Sequence, residues 1–148
     1  MSLKEQLTSD MKEAMKAHDK DRLAVIRMVR GAIRQQEIDG KKELNDDDVI
    51  AVISKEVKMR KDSIDEFSKG GRDDLVAKTQ AEIEVLMPYL PQQLSEAEVK
   101  ALVEEAVAAT KAATPKDMGK VMGVLMPKVK DRADGKMVNT IVRSMLQG

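Results

Sequence analysis

The organisation of the chain follows from residues 88–99, which read PYLPQQLSEAEV. Pro88 and Pro91 have no N–H group to donate to a helix ladder, so a helix that reaches them must stop there. Ser95 and Glu98 stand three residues apart, which is the spacing of a capping box and predicts the start of a new helix. The segment therefore predicts a boundary between two domains.

Apolar residues recur at steps of three and four on both sides of this boundary, and this spacing predicts amphipathic helices. We expect an all-α protein with a four-helix bundle-like N-terminal domain over residues 1–92 and a small three-helix C-terminal domain over residues 95–148. Gly40 is predicted to end the second helix and Gly70-Gly71 the third, because glycine accepts the left-handed backbone common at helix ends.

The composition excludes several kinds of site. With no Cys and one His among 148 residues, the chain has almost no material for a thiol nucleophile, a Ser-His triad or a zinc site. We therefore expect no catalytic residues, no metal site and no cofactor. One Tyr, one Phe and no Trp argue against a stacking platform for single-stranded nucleic acid. No apolar run approaches the roughly 18 residues of a membrane span, and we expect a cytoplasmic protein that makes no membrane contact.

The formal net charge is zero, but the basic residues are concentrated at the C-terminal end. Residues 115–148 hold seven basic and three acidic side chains, a net charge of +4. Such a concentration is typical of a surface that contacts the phosphate backbone of a nucleic acid, although an ordinary solvated face explains the same charges. The candidate nucleic-acid-binding residues are Lys116, Lys120, Lys128, Lys130, Arg132 and Lys136.

A second cationic row lies on the predicted second helix. Arg27, Arg30 and Arg34 fall within an arc of about 60° on the side opposite its apolar face. Three arginines in line can hold an anion or an acidic partner, so they are candidate partner-binding residues of a protein-interaction scaffold. A plain surface helix is the favoured explanation of the same row, since Glu37 and Asp39 follow closely and partly neutralise it.

Five short strings along the chain are distinctive: KDRL at 20–23, IRMV at 26–29, YLPQQL at 89–94, MGKVMG at 118–123 and RADGKMV at 132–138. Together they resemble the YqeY-like family, and the resemblance covers essentially the whole chain. That family is similar to the tail of the B subunit of the glutamyl/aspartyl-tRNA amidotransferase, a helical module that contacts tRNA while catalysis lies in other parts of that enzyme.

The resemblance implies a non-catalytic accessory protein that contacts tRNA or another structured RNA. It transfers most directly to Lys120, Arg132 and Lys136. It also implies an alternative, an accessory subunit of a carbon–nitrogen ligase with glutamine as amido donor, whose partners are amidotransferase or synthetase proteins. Asp131 stands where the family is expected to carry Gly, which matters if the backbone is left-handed there.

Overall fold

The computed structural model describes residues 1–147, and every regular element in this range is helical. The all-α prediction is confirmed. The long helices are α1 (Leu3–Lys16), α2 (Lys20–Gly40), α3 (Asp46–Lys69), α4 (Asp73–Leu86), α5 (Glu96–Thr110), α6 (Met118–Val129) and α7 (Gly135–Gln147). Two short 3₁₀ turns, Met87–Tyr89 and Pro115–Asp117, precede the junction and α6.

The chain divides into two compact units, the first over Met1–Leu90 and the second beginning at Pro91. Unit 1 comprises α1 to α4 and buries an aliphatic core that includes Leu7, Ile26 and Ile53, all fully buried. Unit 2 comprises α5 to α7 and has a separate core in which Val99, Val121, Leu125 and Val142 are fully buried. That each unit folds by itself stays a prediction.

Side-chain caps explain where several helices begin. The Ser2 hydroxyl accepts the Glu5 N–H at 3.1 Å at the start of α1. Ser95 and Glu98 form the predicted capping box at the start of α5, with each side chain bonded to the other residue's backbone N–H at 3.1 Å. Such caps satisfy backbone donors that have no partner inside the helix.

The left-handed ends of the helices differ in part from the prediction. Gly71 takes the left-handed backbone after α3, with φ +72°, as the Gly-Gly pair suggests. After α2 the left-handed residue is Lys41, with φ 52°, while Gly40 is the last helical residue. The register is fixed by the Lys42 N–H, which donates to the carbonyl oxygen of Glu37 at 3.2 Å and places Lys41 at the turn.

Asp131 also adopts a left-handed conformation, with φ 60°, in the turn between α6 and α7. We expect Asp131→Gly to leave stability unchanged or to raise it by up to about 1 kcal/mol, because glycine carries no Cβ penalty there but loses more entropy on folding. Asp131→Ala should lower stability by about 1 kcal/mol, because alanine lacks the short polar side chain that tolerates this region. Urea denaturation of the three proteins checks the order; an alanine variant as stable as the glycine variant would contradict it.

Tyr89 lies at the C-terminal end of unit 1, in the 3₁₀ turn that follows α4. Its ring is 8% exposed, and its hydroxyl donates to the carboxylate of Asp10 on α1. A guanidinium nitrogen of Arg22 lies 3.9 Å from the same carboxylate. Burial, and then the hydrogen bond and negative charge of Asp10, raise the pKa of Tyr89 above its ordinary value. The phenol is therefore held neutral in the folded protein.

This shift predicts how the stability of unit 1 depends on pH. The folded pKa of Tyr89 lies above the unfolded one, so its contribution is present below about pH 10 and declines as the pH rises further. Tyr89→Phe should cost about 1 kcal/mol at neutral pH through the lost hydrogen bond, and should make the alkaline decline shallower. Urea denaturation at pH 8 and at pH 11 measures both; equal alkaline losses in the two proteins would show that Tyr89 is not responsible.

Candidate cationic binding surfaces

The structure places the six C-terminal candidates in two groups on unit 2. Five are exposed, and Arg132 is half-buried. Lys116 and Lys120 form the first group, at the 3₁₀ turn and first turn of α6. The second group surrounds the α6–α7 turn and consists of Lys128, Lys130, Arg132 and Lys136. The backbone positions of Lys120 and Lys128 lie about 12 Å apart along the helix axis.

Arg132 makes hydrogen bonds that stabilise unit 2. Its Nε donates to the carbonyl oxygen of Gln92 at 3.2 Å, and its Nη1 donates to that of Lys128 at 3.5 Å. The Leu94 N–H in turn donates to the carbonyl oxygen of Arg132 at 2.8 Å. These bonds fasten the segment before α5 to the α6–α7 turn, so Arg132 has a structural role that its charge alone does not reveal.

Ion pairing of Lys116, Lys120, Lys128 and Lys130 is weak or absent within residues 1–147. Lys128 Nζ lies 3.7 Å from a carboxylate oxygen of Glu105, but the side chains are 43% and 66% exposed, and such surface pairs contribute little. Among residues 1–147, no carboxylate lies within ion-pair distance of Lys116, Lys120 or Lys130. These side chains are available to an anionic partner at little cost.

Two aspartates lie among the lysines in sequence, and each accepts backbone N–H groups near the start of a helical segment. The N–H groups of Ala113 and Thr114 donate to Asp117, which lowers its pKa, and the charge of Lys120 contributes to the shift. Asp134 accepts the N–H of Lys136 at 2.9 Å at the start of α7. The Asp134 carboxylate thus satisfies one of the backbone donors that would otherwise favour a phosphate at this helix end.

The three arginines of α2 line one groove of unit 1. The groove has a volume of about 250 Å³, and its lining residues come from α1 and α2. They are Lys4, Leu7, Thr8, Arg27, Arg30, Gly31, Ile33, Arg34 and Glu37. Sequence reasoning identified the three arginines but missed Lys4, Thr8 and Gly31, because no local signal shows that this edge of α1 faces the arginine row.

Lys4 and Glu37 form an internal ion pair within this groove. Lys4 Nζ donates to a carboxylate oxygen of Glu37 at 2.6 Å, and the same oxygen accepts the Leu44 N–H at 2.9 Å. The hydrogen bond between the two side chains lowers the pKa of Glu37 and raises the pKa of Lys4. Glu37 therefore neutralises Lys4 more directly than it neutralises the arginines.

The residues that the structure describes contain no group of three or more His, Cys, Asp or Glu side chains placed to hold a metal ion. The single histidine, His18, is exposed and occupies the left-handed turn after α1, with φ 55°. No helix in the described range has the length and apolar character needed to cross a membrane.

The described chain is thus a helical protein of two compact units, with an arginine-lined groove in unit 1 and exposed lysines on unit 2. It matches the model of the family described as Yqey-like protein over residues 4–146, and it belongs to that family.

Relatives that it matches include fungal proteins named altered inheritance of mitochondria protein 41, mitochondrial. The protein from Lachancea thermotolerans is 39% identical over 112 residues, which cover 74% of this chain and 60% of the relative. The protein from Pyrenophora tritici-repentis is 31% identical over 143 residues, or 95% of this chain and 78% of the relative. The Saccharomyces cerevisiae protein is 40% identical over 87 residues, or 58% of this chain and 47% of its own length.

Proposed function

We propose that this protein is a non-catalytic accessory protein that contacts RNA through the lysines of unit 2. The observation that carries the proposal is the arrangement of exposed lysines in two groups, with Lys120 in one and Lys128 in the other, about 12 Å apart along α6. A small anion reaches only one of these groups. A ligand that contacts both must be long and polyanionic, as a nucleic acid backbone is.

The expected binding is electrostatic and weak. Both aromatic residues of the chain, Phe67 and Tyr89, belong to unit 1, so unit 2 has no ring on which a base could stack. Phosphate contacts by lysine carry no direct sequence information. We expect dissociation constants in the nonspecific range, roughly 10⁻⁴–10⁻⁶ M at physiological salt.

Transfer RNA is the proposed RNA, by analogy with the amidotransferase tail that the family resembles. Fold-level analogy alone does not assign a partner. An accessory subunit of a carbon–nitrogen ligase would instead co-purify stably with amidase or ligase chains, and a protein-interaction scaffold would keep its partner after nuclease treatment. In each of these roles we expect the isolated protein neither to hydrolyse glutamine nor to consume ATP.

Salt dependence tests the RNA proposal on the unaltered protein. Retention of tRNA on filters should fall between about 50 and 200 mM salt, with a log–log slope of about −0.9 for each phosphate contact. Three or four lysine contacts predict a slope between roughly −2.7 and −3.6. Absence of binding at the lowest salt, or a slope near zero, would contradict the proposal.

The cytoplasmic location also stays a prediction. The names of the fungal relatives place those proteins in mitochondria. Fractionation of cells that produce the full-length protein, followed by detection of the protein in each compartment, distinguishes the two locations.

A further inference from the structure

The groove between α1 and α2 has a net positive charge that its own residues do not balance. Its lining holds four cations and one carboxylate, a net charge of +3. Because Glu37 pairs with Lys4, the excess charge resides on Arg27, Arg30 and Arg34. Within residues 1–147, none of these three arginines has a carboxylate within 4 Å. The excess is local to the groove, since the chain as a whole has a formal net charge of zero.

Arg30 is the most informative of the three because it is half-buried. Its Nη1 donates to the sulfur of Met11 at 2.9 Å, which is the one hydrogen bond of this guanidinium in the described structure. A thioether is a weak acceptor, and a guanidinium has five N–H donors in a planar fork. Bidentate pairing with a phosphate or a carboxylate would satisfy this fork far better.

Gly31 lies between these arginines in the middle of α2 and has no packing reason to be glycine. It is exposed, and a Cβ built on it would meet nothing within 4 Å. Its φ is not in the left-handed region. Glycine within a helix costs about 0.5–1 kcal/mol relative to alanine, so Gly31 lowers the free energy of unfolding. What Gly31 provides instead is open space beside the helix backbone, inside the arginine-lined groove.

Size and charge restrict the ligand. Arg27 and Arg34 are about 10.5 Å apart along the helix axis, and the groove volume of about 250 Å³ is below the roughly 300–1,000 Å³ of pockets that enclose drug-sized molecules. The groove therefore suits a compact anionic group and is too short for a partner helix. One phosphate monoester carries about −1.5 to −2 charges at neutral pH, which is less than the charge of the three arginines.

We propose that this groove binds a ligand with two or more linked phosphate groups, which Arg27, Arg30 and Arg34 hold while Gly31 leaves room for it against α2. This site lies in unit 1 and takes a small oligophosphate, so it is separate from the RNA surface proposed on unit 2. Both sites bind phosphate groups, which come from a small oligophosphate in the groove and from the RNA backbone on unit 2.

Calorimetric titration of the full chain with inorganic tripolyphosphate at low salt tests the site. We expect saturable binding, and we expect Arg30→Gln and Arg34→Gln each to weaken it by about tenfold or more, because each removes a charge-assisted hydrogen bond. Lys58→Gln is the matched control, since Lys58 is an exposed cation of the same unit on α3. No binding by the unaltered protein, or equal losses in the control and arginine variants, would overturn the proposal.

Gly31→Gln separates binding from folding. Glutamine has a much better helix propensity than glycine, so this variant should melt at the same or a higher temperature. Its side chain should nevertheless fill the space beside the arginines and weaken tripolyphosphate binding by about tenfold, the loss of roughly one charge-assisted hydrogen bond. A Gly31→Gln variant that binds tripolyphosphate as well as the unaltered protein would overturn the role given to Gly31 and the position of the site.

Three further titrations identify which anionic partner the groove binds. Arg30→Gln/Arg34→Gln should lose tripolyphosphate binding but keep tRNA binding, as expected for a small-ligand site distinct from the RNA surface. Loss of both would assign the groove to RNA phosphates and would contradict the RNA surface on unit 2. Binding of a poly-glutamate peptide without binding of tripolyphosphate would overturn the phosphate assignment in favour of an acidic protein partner.

Discussion

Leu125→Ala should unfold most of unit 2 while unit 1 stays folded. Leu125 is fully buried in the core of unit 2, and truncation of a buried leucine costs about 2.7–5 kcal/mol. Domains have free energies of unfolding of roughly 0.05–0.15 kcal/mol per residue. The truncation therefore removes most of the free energy of unfolding expected of a unit of this size. Far-UV circular dichroism should show a partial loss of helix, and the amide NMR spectrum should keep the dispersed signals of unit 1.

Val124→Ala is the matched control for this truncation. Val124 is the preceding residue on the same helix but is 38% exposed, so its loss should change stability by about 0.5 kcal/mol or less. If Leu125→Ala instead melts both units in one transition, the two units form one cooperative structure. The prediction of independently folding domains would then be wrong.

Replacing Lys120 and Lys136 together with glutamate should abolish tRNA binding or flatten its salt slope by about two units, because each lysine accounts for roughly one phosphate contact. One residue comes from each group of lysines on unit 2, so the double variant tests both ends of the proposed surface. Filter retention of tRNA between about 50 and 200 mM salt gives the slope. Folding should survive, since exposed charges contribute little to stability.

Lys58→Glu/Lys61→Glu is the control for this experiment, because both lysines are exposed on α3 of unit 1 and the change in charge is the same. The control and the Arg30→Glu/Arg34→Glu variant should both reduce binding much less. If the arginine variant loses tRNA while the Lys120/Lys136 variant retains it, the RNA site lies in unit 1.

The helical architecture was predictable because its signals are local. The prolines at 88 and 91 and the capping box of Ser95 and Glu98 act within a few residues of the helix ends that they define. Apolar residues at steps of three and four were enough to predict amphipathic helices on both sides of the boundary. The left-handed residue after α2 was not predictable in the same way. The backbone hydrogen bond from the Lys42 N–H to the carbonyl oxygen of Glu37 fixes the position of the turn. It places the left-handed conformation at Lys41 and not at the adjacent Gly40.

The candidate sites were predictable only in part, because charge is visible in a sequence and pairing is not. Sequence reasoning found Arg132 and Arg30 as cations. The structure shows that Arg132 donates to the carbonyl oxygen of Gln92, whereas the one hydrogen-bond acceptor of Arg30 among residues 1–147 is the sulfur of Met11. The contribution of Lys4 to the arginine groove depends on the packing of α1 against α2, a tertiary relationship that no local pattern encodes.

An NMR titration of the ¹⁵N-labelled full chain with an RNA hairpin that carries a duplex stem locates the RNA-contacting surface. We predict that amide shifts concentrate in residues 116–136, around the two groups of lysines on unit 2, and that they reverse when salt is raised. Shifts confined to α1 and α2, or no shifts at low salt, would contradict the claim that unit 2 is the RNA-contacting part of this protein.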